Sequence, residues 1–314
     1  MNEDIAFPLV SIVLATYNGE KFLEKQLESL FLQTYPHIEI IAVDDRSSDN
    51  TVRILQAHAA KHPAMKVFVN DTNLGFIKNF QKGCSLAGGA FIACCDQDDY
   101  WHAGKISKLA AAIGNHPMIY CDSVLCDEDL HDTGRKVSDQ VICRSFNSCL
   151  QQAVFCRIYG HATLIKSAVV QKAMPFLEVI PHDWWLSFIS VLHGEIQYLP
   201  EPLVLYRQHS ANLFGVVGLK SAKTGRNNKA GKKARELYEI RRRINAFRDA
   251  CPAEKEHEKK LLKQLAATYR NFSLANNFRR MFFFLRYWKL LLASKRRSDL
   301  KKILFCFKMF IKIK

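Results

Sequence analysis

Residues 91–99 read FIACCDQDD. Five apolar residues run straight into three carboxylates within four positions, and Trp101 follows two residues later. A short apolar run bounded by polar residues suits a strand buried on both faces. Its acidic end then lies where the strand leaves the core. Three carboxylates so close together repel one another unless a cation stands among them. Hard oxygen donors suit magnesium or manganese, and magnesium is usually held by one or two carboxylates together with a ligand's phosphate oxygens. Taken alone, the stretch fits an acidic surface turn equally well.

The residues before it decide more. Residues 9–15 (LVSIVLA), 38–43 (IEIIAV) and 65–69 (MKVFV) are further strand-like runs, with 90–95 the fourth. A helical pattern from 20 to about 32 places Phe22, Leu23, Leu27, Leu30 and Phe31 on roughly one face. The Ser47-Ser48-Asp49 turn can cap a helix over 51–60, and a third helix runs to about Leu86. Strand and helix thus alternate four times with short connections. That is the pattern of an α/β fold with a doubly wound, mostly parallel sheet.

In an open α/β sheet, ligands bind outside the carboxyl ends of the strands. Residues 16–18 (TYN), Asp44-Asp45, 73–75 (NLG) and 96–98 (DQD) all fall at such ends, so four polar clusters converge on one crevice. The first strand-to-helix turn has no Gly-x-Gly-x-x-Gly, and no Gly-x-x-x-x-Gly-Lys-Ser/Thr loop occurs. Neither a dinucleotide fingerprint nor a P-loop therefore supplies a phosphate site. A metal on Asp98 offers another way to neutralise a diphosphate. Tyr17 can present a flat face to a base, or be a half-buried aromatic at a strand end. Asp45 can accept from a base N–H, or with Asp44 simply form a turn.

The 314 residues carry a formal net charge of +15, unevenly placed. Up to residue 210 there are 17 Lys and Arg against 23 Asp and Glu; beyond it, 28 against 7. Residues 218–233, rich in Lys, Gly, Ser and Asn, read as a linker or a loop that orders on ligand binding. Residues 235–267 form a charged helical pattern. Residues 278–314 interleave aromatics with cations, as in a pair of helices lying in a membrane interface. Packing on the first two-thirds, or nucleic-acid binding by the basic surface, are the other readings of that segment. The ten cysteines are scattered through apolar segments with no Cys-x-x-Cys pair, and the acidic start Met1-Asn2-Glu3-Asp4 lacks a secretory pattern. They read as reduced core thiols of a cytoplasmic protein, a structural zinc site being the alternative. No run of about 18 uncharged apolar residues suggests a membrane span.

Residues 10–18 (VSIVLATYN), 43–49 (VDDRSSD), 73–76 (NLGF), 96–99 (DQDD), 182–185 (HDWW) and 206–209 (YRQH) together resemble the ordered motif set of family 2 glycosyltransferases of the GT-A fold. The likeness spans about residues 7–215, and its wording is most similar to bacterial rhamnosyltransferase-like enzymes of surface polysaccharide assembly. It implies a nucleotide-sugar-binding domain over 1–215, followed by a basic, amphipathic helical extension over 216–314. It also implies roles. Ala15, Tyr17, Asp44, Asp45, Asn73 and Gly75 would form the nucleotide site, with Tyr17 and Asp45 on the base and Asp44 supporting that turn. Asp96 would contact the ribose and Asp99 would lie near the donor sugar. Asp98 would take Mg2+ or Mn2+, and His209 would reach the metal or diphosphate. Asp183 matches the catalytic base. The family's acidic pair is here His182-Asp183, which leaves Asp183 as the one carboxylate in that motif.

The resemblance further implies inverting transfer from dTDP-rhamnose or a UDP-hexose to a saccharide acceptor, lipid-linked, for O-antigen, capsule or lipopolysaccharide. Such an enzyme would sit on the anionic cytoplasmic face of the inner membrane, with no nucleic acid among its partners. A nucleic-acid-binding protein using the basic extension and a metal-dependent nucleotidyltransferase are the rival classes. His161, preceding an apolar run, is read as a core histidine.

Overall fold

The computed structural model describes residues 7–209 and 229–311, with side chains in the second stretch from residue 234. The stretch 218–233 read as a linker lies outside the described residues except for its last five, whose backbone opens a helix. The elements run β1 (Val10–Thr16), α1 (Glu20–Phe31), β2 (Ile38–Asp44), α2 (Thr51–Ala59), β3 (Met65–Val69), α3 (Phe76–Leu86), β4 (Phe91–Cys95), β5 (Tyr100–Trp101) and α4 (Lys105–Ile113). Then come β6 (Met118–Cys126), β7 (Asp132–Lys136), α5 (Val137–Gln140), α6 (Cys149–Ala153), a 3-10 turn at Gly160–Ala162, β8 (Thr163–Lys166), α7 (Ser167–Ala173), α8 (His182–His193) and β9 (Ile196–Arg207). Four helices follow: α9 (Lys229–Ala250), α10 (Glu256–Thr268), α11 (Leu274–Leu291) and α12 (Asp299–Lys308).

The strands form a nine-stranded sheet in the order β3-β2-β1-β4-β8-β6-β9-β5, with β7 beside β6. It is mixed but mostly parallel: β8, β5 and β7 run against the other strands. Register sets the site. Thr16 lies opposite Asp44, Leu14 opposite Cys95 and Asp44 opposite Val69. The residues that follow, Tyr17, Asp45, Asn70 and Asp96, therefore leave the sheet along one edge.

Alternation along β1 sends Ile12 and Leu14 into one apolar layer, with Leu23 and Leu27 of α1, and Val13 into the other, with Phe80 of α3. The second layer also takes Ile244, Phe247, Leu262, Phe284 and Met309 from the C-terminal helices. Phe247 stacks on Trp185 and Phe188 of α8, at centroid distances of 6.2 and 4.0 Å. One face of the basic extension is thus ordinary core, and α8 is clamped between that extension and the sheet. All ten cysteines are free thiols: eight are buried, and Cys143 and Cys156 are partly so.

Residues 127–139 carry the exposed strand β7 and the short α5. Residues 235–267 are two helices, because Pro252, which can neither donate an N–H nor tolerate a helical residue before it, ends α9 near Ala250.

Helix α3 lies tightly on the sheet at Gly83, where a Cβ would come 2.4 Å from Val13 Cγ1 and 3.3 Å from Val43 Cγ2. Gly83→Ala should lower unfolding stability by about 1–3 kcal/mol through overpacking. A denaturant titration yielding a gain in stability would contradict this packing.

Candidate active site

The sheet edge opens into a cavity of about 590 Å³. Ala15, Tyr17, Asp45, Asn73, Gly75, Asp96, Asp98, Asp183 and His209, spread over nearly 200 positions, all line it. Asp44 and Asp99, placed in the site from sequence, instead stand behind its wall and are fully buried.

Asp44 builds the wall. It accepts from Thr16 Oγ1 (2.8 Å), the Ser47 amide (2.8 Å) and Ser47 Oγ (2.5 Å). Ser47 Oγ in turn accepts from the Asn18 amide at 2.8 Å. Asp45 secures the next loop: it accepts from Asn70 Nδ2 and the amides of Leu74 and Gly75 at 2.7–2.8 Å. Gly75 has φ +80°, a left-handed conformation that favours glycine. Gln97, passed over in the sequence, ties the edge together by accepting from the Tyr17 amide (2.8 Å) and donating to the Tyr17 carbonyl (3.1 Å).

The three acidic residues part ways. The pairing of β5 with β9, Tyr100 opposite Leu205, draws the DQDD turn against the YRQH segment. Arg207 then donates from its amide to Asp99 Oδ1 (3.1 Å) and from Nε to the Asp98 carbonyl (2.6 Å). Its guanidinium lies over Phe22, 4.6 Å from the ring centroid, and Phe22 also packs on His209. So held, His209 Nε2 stands 2.9 Å from Asp98 Oδ2.

Asp99 is buried against His161, with Oδ2 3.3 Å from Nδ1. Burial, with Asp98 and Asp96 beside it, pushes the Asp99 carboxyl well above its ordinary value. Burial and Lys105 push His161 down to about 3. His161 also lines the cavity, and its other nitrogen meets Ser123 Oγ at 3.0 Å. Beneath them Lys105 is wholly buried, donates to the His161 carbonyl at 2.6 Å and lies over Trp101. Burial draws its pKa down to about 7. Its signal in the sequence was a lysine on the apolar face that α4 shares with Ile106 and Leu109.

Among the described residues at the cavity, two oxygen- and nitrogen-donor sets are candidates for a divalent ion: Asp98 with His209, and Asp96, Asp99 and His161, whose ligand atoms lie within 4.8 Å of one another. Magnesium keeps several waters and demands near-octahedral geometry. Asp99 and His161 are buried, at 1 % and 2 % side-chain exposure, but His161 and Asp96 both line the cavity. The Asp98 side chain is 21 % exposed and faces the cavity. The residues present fit a divalent ion at Asp98 with His209, and also at the Asp96, Asp99 and His161 group. Asp96 is held up, at about 8, by desolvation and by the charges of Asp98 and Asp183, although 43 % of its side chain still meets the cavity.

Across the cavity, Asp183 opens the first turn of α8 and accepts from the Trp184 amide at 2.7 Å. Burial raises its pKa, opposed by His182 and by the Trp184 and Gly160 amides. His182 is buried, stacked on Phe80 at 3.8 Å. Its ring nitrogens make no hydrogen bond of ordinary geometry among the described residues, though the Cys94 thiol lies beside the ring. The chain at Gly160 passes so close that a Cβ there would stand 2.9 Å from His182 Nε2.

A mixed, mostly parallel sheet whose strand ends open into a crevice, followed by a helical C-terminal region, defines a protein of the GT-A-like α/β class. The comparisons with known proteins agree: the Glycosyl transferase family 2 model matches residues 11–172, and the chain belongs to that family. The dTDP-rhamnosyl transferase RfbG of Shigella flexneri is 29% identical over 215 residues, 64% of this chain and 73% of that protein. An uncharacterised protein of Mycobacterium tuberculosis is 29% identical over 216 residues; the match takes in 65% of this chain and 60% of that relative's length. Among solved structures, TarS 1–349 of Staphylococcus aureus in complex with UDP-GlcNAc superposes with a TM-score of 0.57 at 17% identity, covering 96% of this chain and 91% of that one. The mannosyltransferase PcManGT of Pyrobaculum calidifontis, in complex with GDP-Man and Mn2+, gives 0.54 at 15% identity, with 98% and 82% covered. At these identities the two structures speak for the fold.

Proposed function

We propose that this glycosyltransferase moves a sugar, with inversion, from dTDP-rhamnose or a UDP-hexose to a hydroxyl of a lipid-linked saccharide during cell-surface polysaccharide assembly. The observation that carries this reading is that Asp183, Asp98 and His209 line one and the same cavity of about 590 Å³. The likeness to a dTDP-rhamnosyl transferase supports the donor class.

In this scheme the base lies between Tyr17 and the Asp45-held loop, and Asp96 accepts from the ribose. Asp98 and His209 hold Mg2+ or Mn2+, which when bound offsets the charge developing on the leaving diphosphate. Asp183 takes the acceptor hydroxyl's proton as that oxygen attacks the anomeric carbon from the face opposite the diphosphate. Its raised affinity for a proton makes it a better base than a surface carboxylate. No protein nucleophile is needed, because the acceptor oxygen forms the new bond as the diphosphate leaves. Asp99 acts through His161 and Arg207, shaping the wall rather than touching the sugar.

Incubation with a panel of nucleotide sugars, magnesium or manganese, and a lipid-linked acceptor extract should release nucleoside diphosphate with one donor above the rest. Release of neither nucleotide nor sugar for every donor would overturn the proposal. Pyrophosphate released from a nucleoside triphosphate would instead mark a nucleotidyltransferase.

A further inference from the structure

Among the described residues no helix is long and apolar enough to cross a membrane. Yet the described surface exposes fifteen large apolar side chains, and seven of them lie in residues 274–311. Such clustering marks an interaction surface, whereas single exposed apolar residues are ordinary. Leu274, Phe278 and Phe282 follow one another at intervals of four along α11; Leu300, Leu304 and Phe307 do so at four and three along α12. All six are 47–69% exposed.

The opposite faces of these helices are core: Phe283, Phe284 and Leu291 of α11, and Phe305 and Cys306 of α12, are buried. The helices run antiparallel, with Arg280 Nε donating to the Met309 carbonyl at 2.9 Å and the Cys306 thiol to the Phe284 carbonyl at 3.5 Å. Phe278 packs on Phe310 at a centroid distance of 4.8 Å, which joins the two outward stripes at one end. Residues 270–311 hold eleven Lys and Arg against a single acid, Asp299. Arg279, Arg286, Lys289, Lys301 and Lys308 are exposed beside the stripes.

We propose that the outward face of α11 and α12 docks on the surface of an anionic lipid bilayer, with these apolar side chains in the acyl boundary and the flanking cations among the headgroups. An apolar stripe edged by cations is the arrangement that binds such an interface, the cations attracting the anionic headgroups. A second copy of this chain is a poor occupant, since face-to-face contact would oppose two strongly basic surfaces. The proposal stands apart from the sugar-transfer reading, because it is measured without donor or acceptor.

The test is sedimentation of the full chain with phosphatidylcholine vesicles, and with vesicles that also contain phosphatidylglycerol. The chain should partition at least about tenfold better onto the anionic vesicles, and added salt should weaken that preference. A triple variant, Phe282→Ser, Leu304→Ser and Phe307→Ser, should lose at least about tenfold in partitioning. Its unchanged melting temperature would show that the fold persists. Lys301→Glu with Lys308→Glu, both exposed, should remove most of the anionic preference and serves if the triple variant does not fold. Equal partitioning of wild type and folded variants, or no vesicle binding at all, would overturn the proposal. So would a wild-type dimer in sedimentation equilibrium that the triple variant dissociates.

Discussion

Asp183→Asn is expected to lower the rate of sugar transfer by about 10²–10⁴-fold while nucleotide-sugar affinity stays within a few-fold, the span that a positioned general base typically contributes. Asn keeps the size of the side chain and an acceptor oxygen for the Trp184 amide, so the start of α8 should not move. The pH profile separates a base from a structural residue. Burial raises the Asp183 pKa above its ordinary 3.8. The acid limb of kcat in the wild type should therefore fall above the usual carboxylate range, and that limb should vanish in the variant.

Linkage gives a second check. A carboxyl whose folded pKa is raised binds its proton more tightly in the folded state, so its stabilising contribution is present at low pH. That contribution is lost as pH rises from the unfolded value through the folded one. At neutral pH the ionised group costs stability, and Asp183→Asn should be at least as stable as wild type. A fully active variant would place the base elsewhere.

Asp98→Ala should abolish the metal-dependent part of nucleotide binding. A ligand at a hundred times its Kd stabilises the native state by about 2.7 kcal/mol. For a domain of this size that is a rise in Tm of several degrees, at roughly 2–4 °C per kcal/mol. Wild type should show this shift with its nucleoside diphosphate only when magnesium or manganese is present, and Asp98→Ala should show the metal-free response under both conditions. Arg207 still donates to the residue 98 carbonyl in the variant, so the turn keeps its main anchor. His161→Ala makes the contrast: it should retain the metal-dependent shift if Asp98 and His209 are the ligands. Loss of the shift in His161→Ala but not in Asp98→Ala would move the metal to the buried group.

The early part of the chain was legible because its signals are local. Four apolar runs at short spacing can bury themselves only as parallel strands with covering helices, and the expected strand 65–69 is β3 to the residue. The polar residues after each run then had to leave along one edge. Asp44 and Asp99 illustrate the limit of that reasoning. A carboxylate at a strand end either faces the ligand or holds the loop that does, and composition is the same in both cases. Asp44 turns inward because Thr16 and Ser47 present it with donors. Asp99 does so because the Arg207 amide reaches it from a strand more than a hundred residues away.

By itself, then, the sequence determined the sheet's parallel core, the edge on which the site forms and the residue types available there. The tertiary structure alone decided which carboxylates face the cavity. The pairing of β5 with β9 and the packing of α8 under the C-terminal helices are long-range, and they depend on contacts whose partners carry no mark in the chain. The acidic turn at 96–99 was one cluster in sequence. It is divided in three dimensions because its four residues straddle the boundary between solvent and core: Asp98 faces water and His209, and Asp99 faces a buried imidazole.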